Sequence, residues 1–229
     1  MDRKYHLICA WCGVLLLIMF GLGLWPVAKF FPPHMPSASA ADIASIFQQN
    51  TNAIRLGMIF LIIAALCLAP FVAVIALYVR RIEAGSPLMA YIQLITGTTN
   101  VLLFLISPLI WTAIAYRPER APEITQIAND LAWILYLMPV TPFMLQTLSI
   151  GCAILSDKSE HPIFSRWLGF FNLWIPLASI PGLMLTFFKT GPFAWNGIFA
   201  FYIPALTFFV WDFVMFVSLI KAIKLRPAD

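Results

Sequence analysis

Six long apolar stretches constrain the fold of this chain more than any other feature of its sequence. They run from Leu7 to Phe30, Leu56 to Val79, Leu88 to Tyr116, Leu131 to Leu155, Trp167 to Phe188 and Ile198 to Ile220. A helix that crosses a hydrocarbon core ~30 Å thick needs about 20 apolar residues, each rising ~1.5 Å. The stretches lack the alternation of transmembrane strands. The sequence therefore predicts an all-α membrane protein, a six-helix transmembrane bundle in which residues 1–229 form one domain.

The composition excludes a water-soluble globular protein. The chain of 229 residues is 62% hydrophobic and 10% charged, whereas soluble proteins are roughly 45–50% apolar and about 25% charged. The first stretch is too long for a cleaved signal peptide, so we expect it to remain as a span. The segments outside the bilayer are too short for a separate catalytic domain.

Lys and Arg predict the orientation, because cytoplasmic loops carry the excess of positive charge. Nine of the fourteen fall on the side of both termini: Arg3, Lys4, Arg80, Arg81, Lys158, Arg166, Lys221, Lys224 and Arg226. Five fall on the other side: Lys29, Arg55, Arg117, Arg120 and Lys189. Both termini are therefore expected in the cytoplasm. The net charge of +4 reflects this bias and attraction to anionic lipids, and requires no nucleic acid.

The three outer loops differ in what they predict. In the first, Ser39 and Asp42 have the spacing of a capping box, so we expect a short helix along the membrane interface. The second, residues 117–130, mixes charges of both signs and is expected to be a solvated surface. In the third, residues 189–197, Gly and Pro favour a tight turn and Trp195 is expected to anchor at the lipid head groups.

Asp212 is the most informative single residue, because it lies within the last apolar stretch. It precedes Lys221 by nine residues, which places it about 13 Å from that end of a straight helix. A carboxyl group at this depth is costly, faces the bundle interior by preference and is favoured as the neutral acid. Asn100 and Gln146 fall at the same depth, so we expect Asp212, with its neighbour Trp211, to form a polar ligand site with them. The alternative for the two amides is that they only join helices by hydrogen bonds.

Prolines recur in every predicted span. They are Pro26, Pro70, Pro108, Pro139, Pro142, Pro176, Pro181 and Pro204. Each removes a backbone hydrogen bond, so kinked spans around an internal cavity are expected. The fourth span should be interrupted most strongly, because it contains both Pro139 and Pro142.

Most enzyme chemistry is disfavoured by what the sequence contains. His6, His34 and His161 are too dispersed in the predicted topology to converge on one metal ion, and no nucleotide-binding or zinc-protease motif is present. Cys9 and Cys12 form a Cys-x-x-Cys pair, for which we favour packing over a redox role. We expect no cofactor and no metal, and we lean against an enzyme.

One pattern is similar to a known group of proteins. Residues Ser39-Ala40-Ala41-Asp42-Ile43, then Asn50 and Arg55-Leu56-Gly57, resemble the first outer loop of uncharacterised bacterial six-span membrane proteins. The resemblance implies a bacterial inner-membrane protein and brings no known activity or site residues.

The leading functional hypothesis is that the protein binds, presents or translocates a hydrophobic or lipid-like small molecule in a pocket within the bundle. Two alternatives remain: an accessory subunit of a larger membrane complex, and a proton-coupled transporter that uses Asp212. The expected partners are membrane lipids, a hydrophobic small molecule, and either a protein partner or further copies of this chain.

Overall fold

The computed structural model describes residues 2–83 and 85–225, and these residues are helical wherever they form regular structure. The helices are α1 (Asp2–Leu22), α2 (Ala40–Gln49), α3 (Thr51–Ile82), α4 (Leu88–Tyr116), α5 (Pro122–Leu137), α6 (Thr141–Ser156), α7 (Arg166–Ser179) and α8 (Ile203–Leu225). A π-helical segment, Gly23–Val27, continues α1, and a 3₁₀ segment, Ile180–Phe187, continues α7. A second π-helical segment, Ile198–Tyr202, precedes α8.

Six helical stretches of the described chain are long and apolar enough to cross a membrane. They are Arg3–Val27, Thr51–Ile82, Leu88–Tyr116, Pro122–Ser156, Arg166–Phe187 and Ile198–Leu225. The prediction of an all-helical membrane protein with six spans is therefore confirmed. Arg226, which the orientation count includes, lies outside the described residues.

The fourth span begins earlier than predicted, so the loop expected over residues 117–130 is wrong in its second half. Helix α5 begins at Pro122, because proline is tolerated in the first turn of a helix. Its polar residues pack inward: Thr125 and Asn129 are buried, and Asn129 Oδ1 accepts a hydrogen bond of 3.3 Å from Trp111 Nε1. Only residues 117–121 connect α4 to α5.

One end of the bundle, here called the α2 face, consists of residues 28–50, 117–121 and 188–197. The predicted capping box is confirmed, because the Ser39 side chain accepts from Asp42 N while the Asp42 carboxylate accepts from Ser39 N. Gln126 Nε2 donates to Ala38 O at 3.0 Å, which joins α5 to the first loop. Trp195 is 6% exposed and donates from Nε1 to His34 O at 2.7 Å. Trp195 therefore joins the first and third loops of the α2 face.

The opposite end, here called the terminal face, contains both described chain ends. Tyr78 Oη lies 3.3 Å from His6 Nδ1, and the Arg81 guanidinium lies 4.9 Å from the centre of the Tyr78 ring. Trp11 and Phe216 have ring centres 5.0 Å apart, so the start of α1 packs beside the end of α8. An even number of spans brings the two ends to the same face.

The buried apolar residues form two clusters, one in each half of the bundle. The cluster nearer the terminal face centres on Phe71, Ile75 and Trp211. The cluster nearer the α2 face centres on Phe30 and Trp133. Phe104 packs against both. The region where the two clusters meet is therefore the least continuous part of the core.

Candidate ligand-binding cavity

A cavity of about 360 Å³ lies where the two core clusters meet. Its walls come from α1 and its π-helical extension, from α4, from the α5–α6 junction and from the start of α8. The lining residues are Phe20, Gly21, Leu24, Trp25, Phe31, Asn100, Leu103, Phe104, Leu135, Tyr136, Leu137, Pro139, Val140, Phe143, Ser179, Phe201, Pro204, Ala205, Phe208 and Phe209. This volume lies within the ~300–1,000 Å³ that small-molecule sites occupy.

The wall of the cavity is mainly aromatic. The Phe20 ring lies 5.1 Å from Phe209 and 5.9 Å from Tyr136, measured between ring centres. Phe208 lies 5.2 Å from Phe104 and 5.5 Å from Phe143. These separations are typical of favourable edge-to-face and offset contacts between rings. The surface that a ligand would meet is therefore apolar and firmly packed.

The cavity extends from mid-bundle toward the α2 face. Asn100 follows Leu88 by twelve residues and precedes Tyr116 by sixteen, so it lies about 18 and 24 Å from the two ends of α4. Trp25 and Phe31, near the α2 face, are 66% and 38% exposed. These two residues mark where the cavity reaches the surface of the bundle.

Interruptions of regular α-helix border the cavity. The π-helical segment Gly23–Val27 contains Pro26, and residues 138–140 separate α5 from α6 at Pro139. By contrast, α3 continues through Pro70 and α4 through Pro108. Irregular backbone at membrane depth is tolerated where it is buried in protein or lines a cavity, and π-helical turns are frequent at functional sites.

Two of the four predicted site residues are joined directly. Asn100 Nδ2 donates to Gln146 Oε1 at 2.9 Å, and both residues are buried. Asn100 lines the cavity, whereas Gln146 lies behind it. The Asn100 Oδ1 atom accepts no hydrogen bond from any described donor, so it can accept one from a ligand.

The other two predicted residues lie on α8, outside the cavity lining. Trp211 Nε1 donates to Asn172 Oδ1 at 2.9 Å, which joins α8 to α7. The Trp211 ring lies 5.0 Å from the ring of Phe143, which lines the cavity. Trp211 therefore supports the wall from behind.

Asp212 is fully buried, and neither carboxylate oxygen has a hydrogen-bond partner among the described residues. It shares one face of α8 with Phe209 and Phe216, which contact Phe20 and Trp11 of α1. Asp212 therefore faces the middle of α1. No hydrogen bond joins it to Asn100 or Gln146.

The aromatic lining, including Phe20, Tyr136, Phe143 and Phe208, was not among the residues predicted from the sequence. An apolar side chain in a membrane span can face lipid, the core or a cavity with equal ease, so its identity carries no signal. The small residues Gly21 and Ala205 in the lining were missed for the same reason.

No family model, curated protein or solved structure matches the chain.

Proposed function

We propose that the protein binds a hydrophobic or lipid-like small molecule in this cavity and presents it or passes it across the membrane. The carrying observation is an aromatic-lined space of about 360 Å³ that reaches the bundle surface at Trp25 and Phe31. Apolar lining with few polar groups is the makeup of a small-molecule site.

The chemistry of the lining supports a largely apolar ligand. Beyond the Trp25 indole, only Asn100, Tyr136 and Ser179 contribute polar side chains, and the Ser179 hydroxyl already donates to Ile175 O. A hydroxyl group on the ligand would donate to Asn100 Oδ1. Gln146 positions Asn100 through their hydrogen bond, and Trp211 supports Phe143. In this proposal Asp212 takes no direct part in binding the ligand.

The proposed setting is a bacterial inner membrane with both termini in the cytoplasm. The support is the excess of Lys and Arg on the terminal face, together with the resemblance of residues 39–57 to bacterial six-span proteins. The α2 face would then lie outside, with α2 along the interface. Ile43 and Phe47 of helix α2 are buried against the bundle.

The experiment is to fill the cavity and measure bound lipid by native mass spectrometry. Ala205 lines the cavity, so Ala205→Phe should displace ligand that co-purifies with the wild-type protein. The matched control is Leu206→Phe, because the adjacent Leu206 is 65% exposed and lies outside the lining. Equal ligand occupancy in the two variants would contradict the proposal.

The same measurement addresses the accessory-subunit alternative. A protein partner bound in fixed stoichiometry, with an empty cavity, would favour a subunit of a larger complex. Further copies of this chain would be seen as multiples of its mass.

A second candidate, proton-coupled transport, is supported by the buried Asp212. A carboxyl group without a partner in a membrane span is costly unless it takes up a proton. Transport in vesicles should then lose its dependence on pH in Asp212→Asn, while ligand binding in the cavity persists. Unchanged pH dependence would exclude Asp212 as the proton carrier.

A further inference from the structure

Helices α1 and α8 lie side by side, and ring contacts join them in the half of the bundle nearer the terminal face. Trp11 and Phe216 have ring centres 5.0 Å apart. Nearer the middle of the bundle, Phe20 and Phe209 have ring centres 5.1 Å apart. Beyond this second contact, toward the α2 face, residues of both helices line the cavity. The ring contacts between the two helices therefore end where the cavity begins.

A further set of rings closes the same seam at the α2 face. The chain turns at Lys29, whose φ of 59° lies in the left-handed region, and Phe31 follows this turn. The Phe31 ring lies 5.8 Å from Tyr202 and 6.1 Å from Phe201, measured between ring centres. These contacts join the segment after α1 to the π-helical segment before α8. Phe31 thus covers the end of the seam nearer the α2 face.

An opening remains between the two sets of rings, and its sides are Gly21 and Trp25 after the middle of α1 and Ala205 on α8. We call it the α1–α8 window. A Cβ atom on Gly21 would meet nothing within 4 Å, and Trp25 is 66% exposed. The adjacent Leu22 and Leu206 are 41% and 65% exposed, so this surface faces out of the bundle. Along α8 the two sets of rings are seven residues apart, which is about 10 Å.

The window lies within the membrane-spanning part of both helices. Gly21 is six residues from the end of the span Arg3–Val27, and Ala205 is seven residues from the start of the span Ile198–Leu225. At ~1.5 Å for each residue, these positions are about 9 and 10 Å inside the spans. The hydrocarbon of the leaflet at the α2 face therefore borders the window.

The hydrogen-bond acceptor of the cavity lies deeper than the window. Asn100 is about 24 Å from the end of α4 at the α2 face. A ligand that reaches Asn100 Oδ1 through the window must enter with its polar group first, and its apolar chain can then extend back through the window into the leaflet. The volume of the cavity therefore does not limit the length of that chain.

The lining also selects the charge of the polar group. None of the described residues that line the cavity is charged. Asn100 Oδ1 can replace the water that a hydroxyl group loses when it leaves the membrane surface. An ionised head group would lose its hydration without an opposite charge to compensate, which is far more costly. A neutral ligand with a hydroxyl group therefore fits this lining.

We propose that the cavity takes up a neutral long-chain alcohol from the leaflet at the α2 face, sideways through the α1–α8 window. The hydroxyl group enters first and donates to Asn100 Oδ1, and the chain remains partly in the bilayer. This inference rests on the proposed function, to which it adds the class of ligand and its route.

The route is tested by the rate at which bound alcohol exchanges. The protein in lipid nanodiscs is loaded with hexadecanol and given an excess of deuterated hexadecanol, and native mass spectrometry follows the exchange. Gly21→Trp places a large side chain in the open space of the window. It should slow exchange by about tenfold, which corresponds to ~1.4 kcal/mol of added barrier. Leu22→Trp is the matched control, because Leu22 lies outside the lining, and it should exchange at the wild-type rate. Equal rates in the two variants would overturn the route.

The class of ligand is tested on the wild-type protein by competition with bound hexadecanol. Docosanol, with a longer chain, should displace hexadecanol as well as dodecanol does at equal concentration in the bilayer. Hexadecyl phosphate should not displace it. Failure of docosanol to compete would overturn the chain that extends through the window, and displacement by hexadecyl phosphate would overturn the choice of a neutral ligand.

The outcomes separate this inference from the proposed function. If hexadecanol does not bind but a native lipid co-purifies in the cavity, the inference is wrong and the proposed function stands. If neither is bound, both are wrong. If Gly21→Trp does not fold or loses hexadecanol altogether, competition by docosanol on the wild-type protein decides whether the chain passes through the window.

Discussion

Asn100 on α4 and Gln146 on α6 meet through a hydrogen bond of 2.9 Å, at the back of a cavity that only Asn100 lines. The bond fixes the Asn100 amide in one orientation. It thereby leaves Oδ1 as a hydrogen-bond acceptor in an otherwise aromatic wall. The hydrogen bond therefore joins α4 to α6 and also orients the oxygen atom that we propose accepts a hydrogen bond from the ligand.

Removing either member of this pair should destabilise the bundle. We expect Asn100→Leu and Gln146→Leu each to lower the free energy of unfolding by about 1 kcal/mol, because the remaining amide loses its partner while buried. The double variant should cost less than the sum, with a coupling of about 0.6 kcal/mol. Equilibrium unfolding in mixed detergent micelles measures the free energy of unfolding of each variant. Thr98→Val, at an exposed hydroxyl on α4, is the control, and full additivity would contradict the prediction.

Two glycines should respond in opposite ways to replacement by alanine. A Cβ atom on Gly57 would lie 2.6 Å from Ala28 Cβ and 2.8 Å from Gly23 O, whereas one on Gly21 would meet nothing within 4 Å. Gly57→Ala should therefore separate α3 from the end of α1 and cost about 1–3 kcal/mol. Gly21→Ala should leave thermal stability unchanged or raise it, since alanine favours the helix. Equal effects would contradict the close contact at Gly57.

His34 should make the α2 face sensitive to acid. Burial lowers the pKa of His34 from 6.5 to about 4, and its ring packs 4.5 Å from Phe30. The unfolded chain binds a proton near pH 6.5 while the folded protein resists it. The contribution of His34 to stability is therefore complete above pH 6.5 and decreases toward pH 4, by on the order of 3 kcal/mol.

Thermal unfolding between pH 7 and pH 4 tests the role of His34. Relative to the wild type, His34→Phe should be more stable at pH 4 than at pH 7, whereas His161→Phe, at an exposed position, should follow the wild type at both pH values. Asp42 acts in a different range, because hydrogen bonds from Ser39 lower the pKa of this carboxyl below 3.8. The capping box is therefore lost only in stronger acid. If the stability of His34→Phe changes between pH 7 and pH 4 as much as that of the wild type, the prediction is wrong.

Lys29→Gly should stabilise the protein, which few glycine substitutions do. Glycine adopts the left-handed conformation without steric cost, so relief of strain should add about 1 kcal/mol to the free energy of unfolding. Lys29→Ala removes the same charge and keeps the backbone cost, so it should be no more stable than the wild type. If both variants have equal stability, the backbone at Lys29 is not strained.

The interruption of the fourth span shows what local chemistry can and cannot predict. Pro139 and Pro142 correctly indicated a division within it, since proline removes a backbone donor. The same reasoning applied to Pro70 and Pro108 does not explain why α3 and α4 continue as helices through them. Neighbouring helices can satisfy a freed carbonyl, and sequence alone does not say which prolines have such neighbours.

Asp212 shows the same difference between what local chemistry predicts and what helix packing decides. Its depth in the last span followed from helical rise, and its full burial could be expected from the cost of exposing a carboxyl group to lipid. The lack of a hydrogen bond from Asp212 to Asn100 or Gln146 among the described residues could not be predicted, because residues at one depth can face different neighbours. Rotation of each helix about its axis is set by packing.

The sequence by itself determined the membrane environment of this protein, its six spans and the capping box of α2, because these depend on local apolarity and on short-range hydrogen bonds. Only the tertiary structure decided which apolar faces contact lipid, which form the core and which enclose the cavity. In a bilayer the three environments accept the same side chains, so the arrangement of the helices alone distinguishes them.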